Sequence, residues 1–170
     1  GDDFQNQYDL SIREAVEAGL NAGANALMQG EIDRAIELFS TLITTAPNNP
    51  DVHNALGVAL ANKGDNVGAE QSLRKAVKLA PDHADFHRNL GSILSNQQRF
   101  TRAMRAFRKS LALDPKNPET IYKVAMLHRA QGSLLDYENK LKEVISIDPR
   151  HYEANNDLGC HFITTHKFKE

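Results

Sequence analysis

Two pairs of residues have the types that metal binding or nucleophilic catalysis requires. His83 and His87 lie four residues apart, so on a helix both rings would point from one face. Asp82 and Asp85 are close to them in the sequence. A zinc site needs three or four converging ligands, and neither a thiolate nor a closing pair of ligands accompanies these residues. We therefore predict no metal site.

Cys160 and His161 form the second pair. A cysteine nucleophile needs a base within hydrogen-bond reach and a third group that orients the base. Adjacent residues on a helix point in different directions, so this pair does not predict covalent catalysis. The sequence also has no glycine-rich phosphate loop and no identifiable pair of catalytic carboxylates. We predict a protein that is not an enzyme and that uses no cofactor.

Positive charge is concentrated in one stretch of the chain. Residues 84–117 hold seven Lys and Arg but two Asp, a balance of +5, whereas residues 2–17 have a balance of -4. Five of the seven cations lie at one predicted helix, namely Arg99, Arg102, Arg105, Arg108 and Lys109, and the other two are Arg88 and Lys116. Such a stripe is typical of a solvated outer face, and the alternative is a dock for an acidic segment or for phosphate groups. Because no aromatic residues for base stacking are interleaved, nucleic acid is not predicted as a partner.

The composition limits the remaining function classes. The formal net charge is -2 and 41% of the residues are hydrophobic, as in ordinary globular proteins. No apolar run is long enough to cross a bilayer, and Asp2 and Asp3 stand where a signal peptide has basic residues. The single cysteine, Cys160, excludes an intrachain disulfide. It favours a reducing compartment such as the cytoplasm without excluding an oxidising one.

A period of 34 residues organises the chain. Pro47, Pro81, Pro115 and Pro149 follow one another at this step. Other columns keep the same step, namely His53 and His87, Leu56 and Leu90, Gly57 and Gly91, Leu60 and Leu94, Ala35, Ala69 and Ala103, and Phe39, Leu73, Phe107 and Leu141. Self-similarity at a fixed period of this length indicates stacked helical repeats, each of which needs its neighbours to cover its apolar face.

These columns resemble the tetratricopeptide-repeat family. The second unit reads His53, Leu56-Gly57, Leu60, Ala69, Leu73, Pro81, and the third repeats this pattern with Phe107 in the place of Leu73. Histidine replaces the usual aromatic residue and leucine the usual tyrosine. The resemblance covers residues 16–170. It implies an all-α, right-handed superhelical solenoid of antiparallel helix pairs, with about four and a half repeats.

The pattern predicts the division of the chain. Residues 1–9 are expected to be a disordered segment and residues 10–170 the repeat domain. The expected units are 16–49, 50–83, 84–117, 118–151 and a truncated 152–170. Ser11 and Glu14 form a capping-box pattern, which predicts a first helix over 12–29. Further helices are predicted over 32–45, 51–63, 66–80, 85–97, 100–113, 119–131 and 134–147.

Three units depart from the pattern. The first carries a strip of small residues, which predicts either an atypical terminal repeat or a surface on which another helix packs closely; the strip is Ala15, Gly19, Ala22, Gly23 and Ala26. In the fourth unit, Tyr137 takes the position of the small alanine and is expected to separate the helices or turn outward. In the last unit, Lys167 and Phe168 match Arg99 and Phe100, and the chain stops at Glu170. We expect an exposed apolar face there and a fragment of a longer protein.

The resemblance implies that ligands, usually extended peptides or short helices, lie along the concave face. The matching positions are Asn21, Asn54, Val58, Arg88, Asn89, Ser92, Asn96, Tyr122, Lys123, Met126, Arg129 and Asn156. Asparagine amides offer a donor and an acceptor to a peptide backbone. Arg88, Lys123 and Arg129 would favour an acidic or carboxylate-bearing ligand, although each could instead be an ordinary exposed residue.

Two subclasses of the family differ in their groove residues. A clamp for the acidic carboxyl terminus of chaperones is not supported, because only Asn89 fits its pattern. The asparagine ladder of protein O-linked glycosyltransferases is matched in part, since its column reads Asn21, Ala55, Asn89, Lys123, Asp157.

Three hypotheses follow. The first is a non-catalytic scaffold that binds proteins or peptides. The second is the substrate-recognition arm of a larger glycosyl-, sulfo- or methyltransferase. The third is a module that self-associates through exposed terminal repeats.

Overall fold

The computed structural model describes residues 2–166, and this part of the chain forms nine α-helices and no strand. The helices are α1 Asp2–Met28, α2 Ile32–Thr45, α3 Pro50–Lys63, α4 Asn66–Leu79, α5 Ala84–Asn96, α6 Phe100–Leu113, α7 Pro118–Ala130, α8 Leu134–Ile147 and α9 Tyr152–His166. Each helix packs on the next one along the chain. The predicted all-α solenoid of helix pairs is confirmed.

The turns inside the pairs depend on residues with positive φ. Gly30, Gly64 and Gly132 have φ values of 78°, 89° and 76°, in the left-handed region that glycine adopts without steric cost. The equivalent position of the third unit is Gln98, which holds φ at 59° although it has a Cβ atom. The left-handed backbone conformation therefore recurs at this position in all four units, even where the residue is not glycine.

Each pair is closed by a small residue against a large one. A Cβ atom added to Gly57 would lie 2.7 Å from Cγ of Leu73, and one added to Gly91 would lie 2.7 Å from Phe107. The first helix of a pair thus comes close enough for its backbone to contact the large side chain of the second helix. The glycine column exists for this close approach.

The small-residue strip of the first unit follows the same rule. Cβ atoms added to Gly19 and Gly23 would clash with Leu42 and Phe39 of α2, while Ala15 is exposed. A helix does pack closely on the strip, and that helix is α2 of the same unit. The strip is therefore the internal contact of an otherwise ordinary helix pair.

The start of α1 differs from the prediction. The helix begins at Asp2, so residues 2–9, which were predicted to be disordered, are helical. Ser11 is not a cap, because its hydroxyl donates a hydrogen bond to the carbonyl oxygen of Gln7 at 2.9 Å, one turn back. Residues 2–11 are all exposed. Because none of these residues is buried, the segment lacks the helical spacing of apolar residues from which a helix is predicted.

Tyr137 is buried between α7 and α9 instead of turning outward, with 4% of its surface exposed. Its ring meets the ring of His161 edge-on at 5.5 Å, and the guanidinium of Arg129 lies 5.7 Å from its centre. Ala125, fully buried on α7, leaves room for the phenol. Of the two predicted alternatives, separation of the helices or an outward turn, the burial of Tyr137 excludes the outward turn. The predicted match of Lys167 and Phe168 to the third unit lies outside the described residues.

Candidate functional site

The first helices of successive pairs form one face of the array. α3 contacts both α1 and α5, and α5 contacts α7. A depression of about 340 Å³, here called the groove cavity, lies on this face. Its lining residues are Val58, Ala61, Asn62, Leu73, Arg88, Asn89, Ser92, Ile93, Asn96, Glu119 and Lys123. The predicted groove residues of α5 thus meet Val58 of α3 and Lys123 of α7 in one place.

Asn89 is joined to the preceding unit by a hydrogen bond. Its side-chain nitrogen Nδ2 donates to Oδ1 of Asn54 at 2.9 Å, and both side chains are partly buried. An amide pair of this kind retains one N–H and both carbonyl lone pairs on Asn89, together with two N–H groups and one carbonyl lone pair on Asn54. The pair therefore orients Asn89 while donor and acceptor capacity remains for a peptide backbone.

Two cations lie on the cavity wall, and each has a carboxylate partner on its own helix. Nη1 of Arg88 lies 2.8 Å from Oδ1 of Asp85, and Nζ of Lys123 lies 3.5 Å from Oε1 of Glu119. Ion pairs with exposed members contribute little, typically below about 1 kcal/mol. Exchange of these partners for a ligand carboxylate would therefore cost little.

Tyr122 and Arg129 belong to a separate cluster. The Tyr122 hydroxyl donates to Oδ2 of Asp157 at 2.9 Å, and Nη1 of Arg129 lies 3.9 Å from the same oxygen. Burial, reinforced by the Asp157 carboxylate, raises the pKa of Tyr122 well above its ordinary value. Arg129 and Asp157 border a second depression, of about 440 Å³, between α7, α8 and α9. Tyr122 and Arg129 therefore link α7 to Asp157 of the next unit, and they do not belong to the groove cavity.

The remaining predicted residues are dispersed. Asn21 and Asn156 are exposed on α1 and α9 and border neither depression. Met126 is partly buried and packs against the core of α7 and α8. Ser92 does line the groove cavity, but its hydroxyl donates to the carbonyl oxygen of Arg88 at 3.2 Å. Only part of the predicted set therefore lines the groove cavity, and most of that part belongs to α5.

Asn62 and Glu119 line the groove cavity but were not among the predicted residues. The signal for Asn62 was in the sequence, because it lies 34 residues before Asn96, which was predicted. Glu119 is an acid at the mouth of a groove that was expected to be cationic. With Arg88 and Lys123, it leaves the lining a small positive balance.

The histidines that suggested metal chemistry have packing roles. Nε2 of His53 and of His87 lie 2.7 Å and 2.6 Å from the carbonyl oxygens of Pro47 and Pro81 and donate to them. His83 stacks on the ring of Phe86 at 4.1 Å and does not pair with His87. Within residues 2–166, no group of three or more His, Cys, Asp or Glu could hold a metal ion.

Cys160 and His161 do not act together either. Cys160 is exposed, whereas His161 is buried with its Nε2 3.2 Å from Oε2 of Glu138. His161 therefore contacts α8 and is not hydrogen-bonded to the thiol. As for membranes, none of the described helices combines the length and the apolar character that a transmembrane span requires.

Comparisons with known proteins agree with this architecture. Two models of the tetratricopeptide repeat match, one over residues 26–93 and one over residues 84–117, so that together they span more than half of the chain. No curated protein sequence matches at a significant level.

Solved structures resemble the fold. PilF of Pseudomonas aeruginosa superposes with a TM-score of 0.83 at 16% identity, over 93% of this chain and 72% of that one. MamA from Desulfovibrio magneticus RS-1 gives 0.74 at 20% identity, over 91% and 88%. Thermobaculum terrenum O-GlcNAc transferase gives 0.66 at 23% identity, over 69% of this chain and 22% of that one. At these identities the likeness is one of fold.

Proposed function

Because the chain belongs to the tetratricopeptide-repeat family, we propose that it is a non-catalytic scaffold whose groove cavity binds an extended peptide of a partner protein. The observation that carries the proposal is the meeting of Arg88, Asn89 and Lys123, from two successive units, in one open depression. Polar groups that converge on a partly apolar concave surface are typical of binding sites.

The chemistry of the cavity favours a particular ligand. Asn89, which Asn54 orients, can bond a peptide backbone whatever its sequence, because amides offer both donors and acceptors. Val58 and Ala61, which are partly exposed, add apolar surface for one side chain. Arg88 and Lys123 stand at its edge and favour a ligand carboxylate, although Glu119 reduces this preference. We expect a peptide with a small apolar residue beside an acidic one.

A displayed peptide library selected on the whole chain tests the proposal. Affinities of the selected peptides are measured for the wild type, for Arg88→Ala/Lys123→Ala, and for a matched control, Arg34→Ala/Arg150→Ala, which removes two cations far from the cavity. We expect at least a tenfold loss in the first double variant and no change in the control. Equal affinity in all three proteins would exclude the groove cavity as the binding site. Circular dichroism verifies that both variants fold.

A second candidate is the recognition arm of a larger transferase. The supporting observation is the similarity to an O-GlcNAc transferase of which this chain would span about a fifth. The partial asparagine column, with Asn21 and Asn89 at ladder positions, adds to it. The complete coding sequence decides this candidate. A transferase domain encoded in the same reading frame would favour it, and a reading frame without one would eliminate it.

A further inference from the structure

The lysines and arginines of the described residues are unevenly neutralised. Half of them form an ion pair with a carboxylate. Those without such a pair within residues 2–166 are Arg13, Lys75, Lys78, Arg102, Arg105, Arg108, Lys109, Lys116 and Arg150. All but the first and last of these belong to α4, α6 or the turn after α6. One region of the array therefore carries most of the uncompensated positive charge.

The helix α6 explains why the charge is uncompensated. It contains Arg102, Arg105, Arg108 and Lys109 but no acidic residue, so pairing within the helix is impossible. Arg102 and Arg105 are three residues apart, and Arg105 and Lys109 are four apart, which places like charges beside one another. Such neighbours repel by a few tenths of a kcal/mol per pair. A bound anionic group would remove this repulsion.

Three of these cations, Arg102, Arg105 and Lys109, border a depression of about 440 Å³ between α4, α5 and α6, here called the basic cavity. Its lining residues are Arg74, Val77, His87, Leu90, Leu94, Arg102, Arg105, Ala106 and Lys109. Cations thus border an apolar floor, and no carboxylate lines the cavity. The second helices α4 and α6 supply the cations, so the basic cavity lies apart from the groove cavity. A matching ligand carries carboxylates around an apolar group.

The chain itself contains such a ligand. On α1, Asp3, Leu10, Glu14 and Glu17 follow at steps of seven, four and three residues, which place them along one face of the helix. All four are exposed, Leu10 by 54%, and the acids form no ion pair within residues 2–166. We call this face the acidic stripe. It presents one leucine among three carboxylates.

We propose that the basic cavity binds the acidic stripe of α1 from a second copy of this chain. Leu10 would lie on the apolar floor, with Glu14 and Glu17 facing Arg102 and Arg105. Within one chain, α1 packs on α2 and α3, whereas α6 belongs to the third helix pair. The contact therefore joins two molecules. Because the two surfaces differ, the copy that supplies its basic cavity keeps its acidic stripe free, and the other copy keeps its basic cavity free, so association proceeds head to tail.

Salt dependence separates this contact from an apolar one. The Debye length falls from about 30 Å at 0.01 M to about 3 Å at 1 M ionic strength. In sedimentation equilibrium of the whole chain, we expect association at low ionic strength and monomers at high ionic strength. A wild type that stays monomeric at both ionic strengths, even at the highest protein concentration, would overturn the proposal.

Charge reversal identifies the two surfaces. We expect Arg102→Glu/Arg105→Glu alone, and Glu14→Lys/Glu17→Lys alone, to raise the dissociation constant at least tenfold. An equimolar mixture of the two variants should form a complex again, because each variant supplies the surface that the other has lost. Arg150→Glu, which reverses a cation outside the cavity, should leave association unchanged.

The competing contact is the exposed face of α9, where Phe162 and Ile163 are accessible. If Ile163→Glu abolishes association while the charge reversals leave it intact, the basic cavity is not the interface. If the α6 variant loses affinity for a synthetic polyglutamate but wild-type molecules do not bind each other, the cavity takes acidic ligands and the proposed occupant is wrong.

Discussion

Asn54 and Asn89 are 35 residues apart in the chain, and a hydrogen bond of 2.9 Å joins their side chains. Tyr122 and Asp157, also 35 residues apart, are joined by another bond of 2.9 Å. This step exceeds the sequence period by one residue, so a side chain in one column contacts the following column of the next unit. Arg88 and Lys123 are separated by the same step and line one cavity. Arg88 and Lys123 thus occupy the positions that are hydrogen-bonded to each other in the Asn54–Asn89 and Tyr122–Asp157 pairs.

Substitution of glycine by alanine should change the free energy of unfolding in opposite directions at Gly91 and Gly159. Gly91→Ala should lower the free energy of unfolding by about 1–3 kcal/mol, because the new Cβ would lie 2.7 Å from the packed ring of Phe107. Gly159→Ala should raise it by up to about 1 kcal/mol, since nothing lies within 4 Å of its Cβ position and alanine favours the helix. Denaturant unfolding measures both. Equal effects at the two sites would contradict the close approach at Gly91.

The turn at Gln98 predicts a stabilising substitution. Gln98→Gly should raise the free energy of unfolding by about 1 kcal/mol, because a residue with a Cβ atom is strained at a φ of 59°. The matched control is Gln131→Gly, in the equivalent turn of the next unit but at a φ of -88°. There the substitution should destabilise by up to about 1 kcal/mol, because glycine adds entropy to the unfolded chain. Thermal unfolding of the two variants compares them directly.

Leu90→Ala should lower the free energy of unfolding by about 2–5 kcal/mol. Leu90 is 7% exposed and belongs to the core shared by α4, α5, α6 and α7. Its truncation would leave a void that several helices border. Val67→Ala, at a site 66% exposed, should change the value by less than about 0.5 kcal/mol. A loss below 1 kcal/mol at Leu90 in urea unfolding would show that this core is incorrectly assigned.

Glu70 predicts how stability depends on pH. Burial alone would raise its pKa, but hydrogen bonds from Arg74, Gln97 and Arg99 outweigh burial and lower the pKa below its ordinary value. The ion pair from Glu70 to Arg99, at 2.7 Å, links α4 to the start of α6. Its contribution is complete above the unfolded pKa of about 4.3 and is lost as the pH falls through the lower folded pKa.

Melting temperatures of the wild type and Glu70→Gln between pH 7 and pH 3 provide the measurement. The variant should be less stable at pH 7, and the difference should shrink as the pH falls below about 4. A difference that stays constant across this range would mean that Glu70 titrates alike in the folded and unfolded chains.

Burial patterns explain how closely the helices could be predicted from the sequence. The bounds of α2, α6 and α8 agree with the prediction to the residue, because each helix carries buried residues such as Phe39, Phe107 and Leu141 at helical spacing. The start of α1 was missed because residues 2–11 are exposed on every side. Periodicity detects a helix through the face that it buries, and this segment buries none.

The site was predictable only in part. The repeat columns identified Arg88, Asn89 and Lys123, which do line one cavity. They did not reveal that Tyr122 and Arg129 share the carboxylate of Asp157. Such links depend on the offset between neighbouring units, which sets the 35-residue step. A sequence period gives the positions within each unit but not this offset.

Because each helix pair packs chiefly on its neighbours, the free energy that holds a backbone amide in place depends on its distance from the ends of the array. Opening of α1 or α9 breaks contacts with one adjoining pair, whereas opening of α5 and α6 requires the loss of contacts on both sides. Deuterium should therefore enter the terminal helices first and the third pair last. In this 170-residue chain, unfolding would begin at α1 and α9 and reach α5 and α6 last.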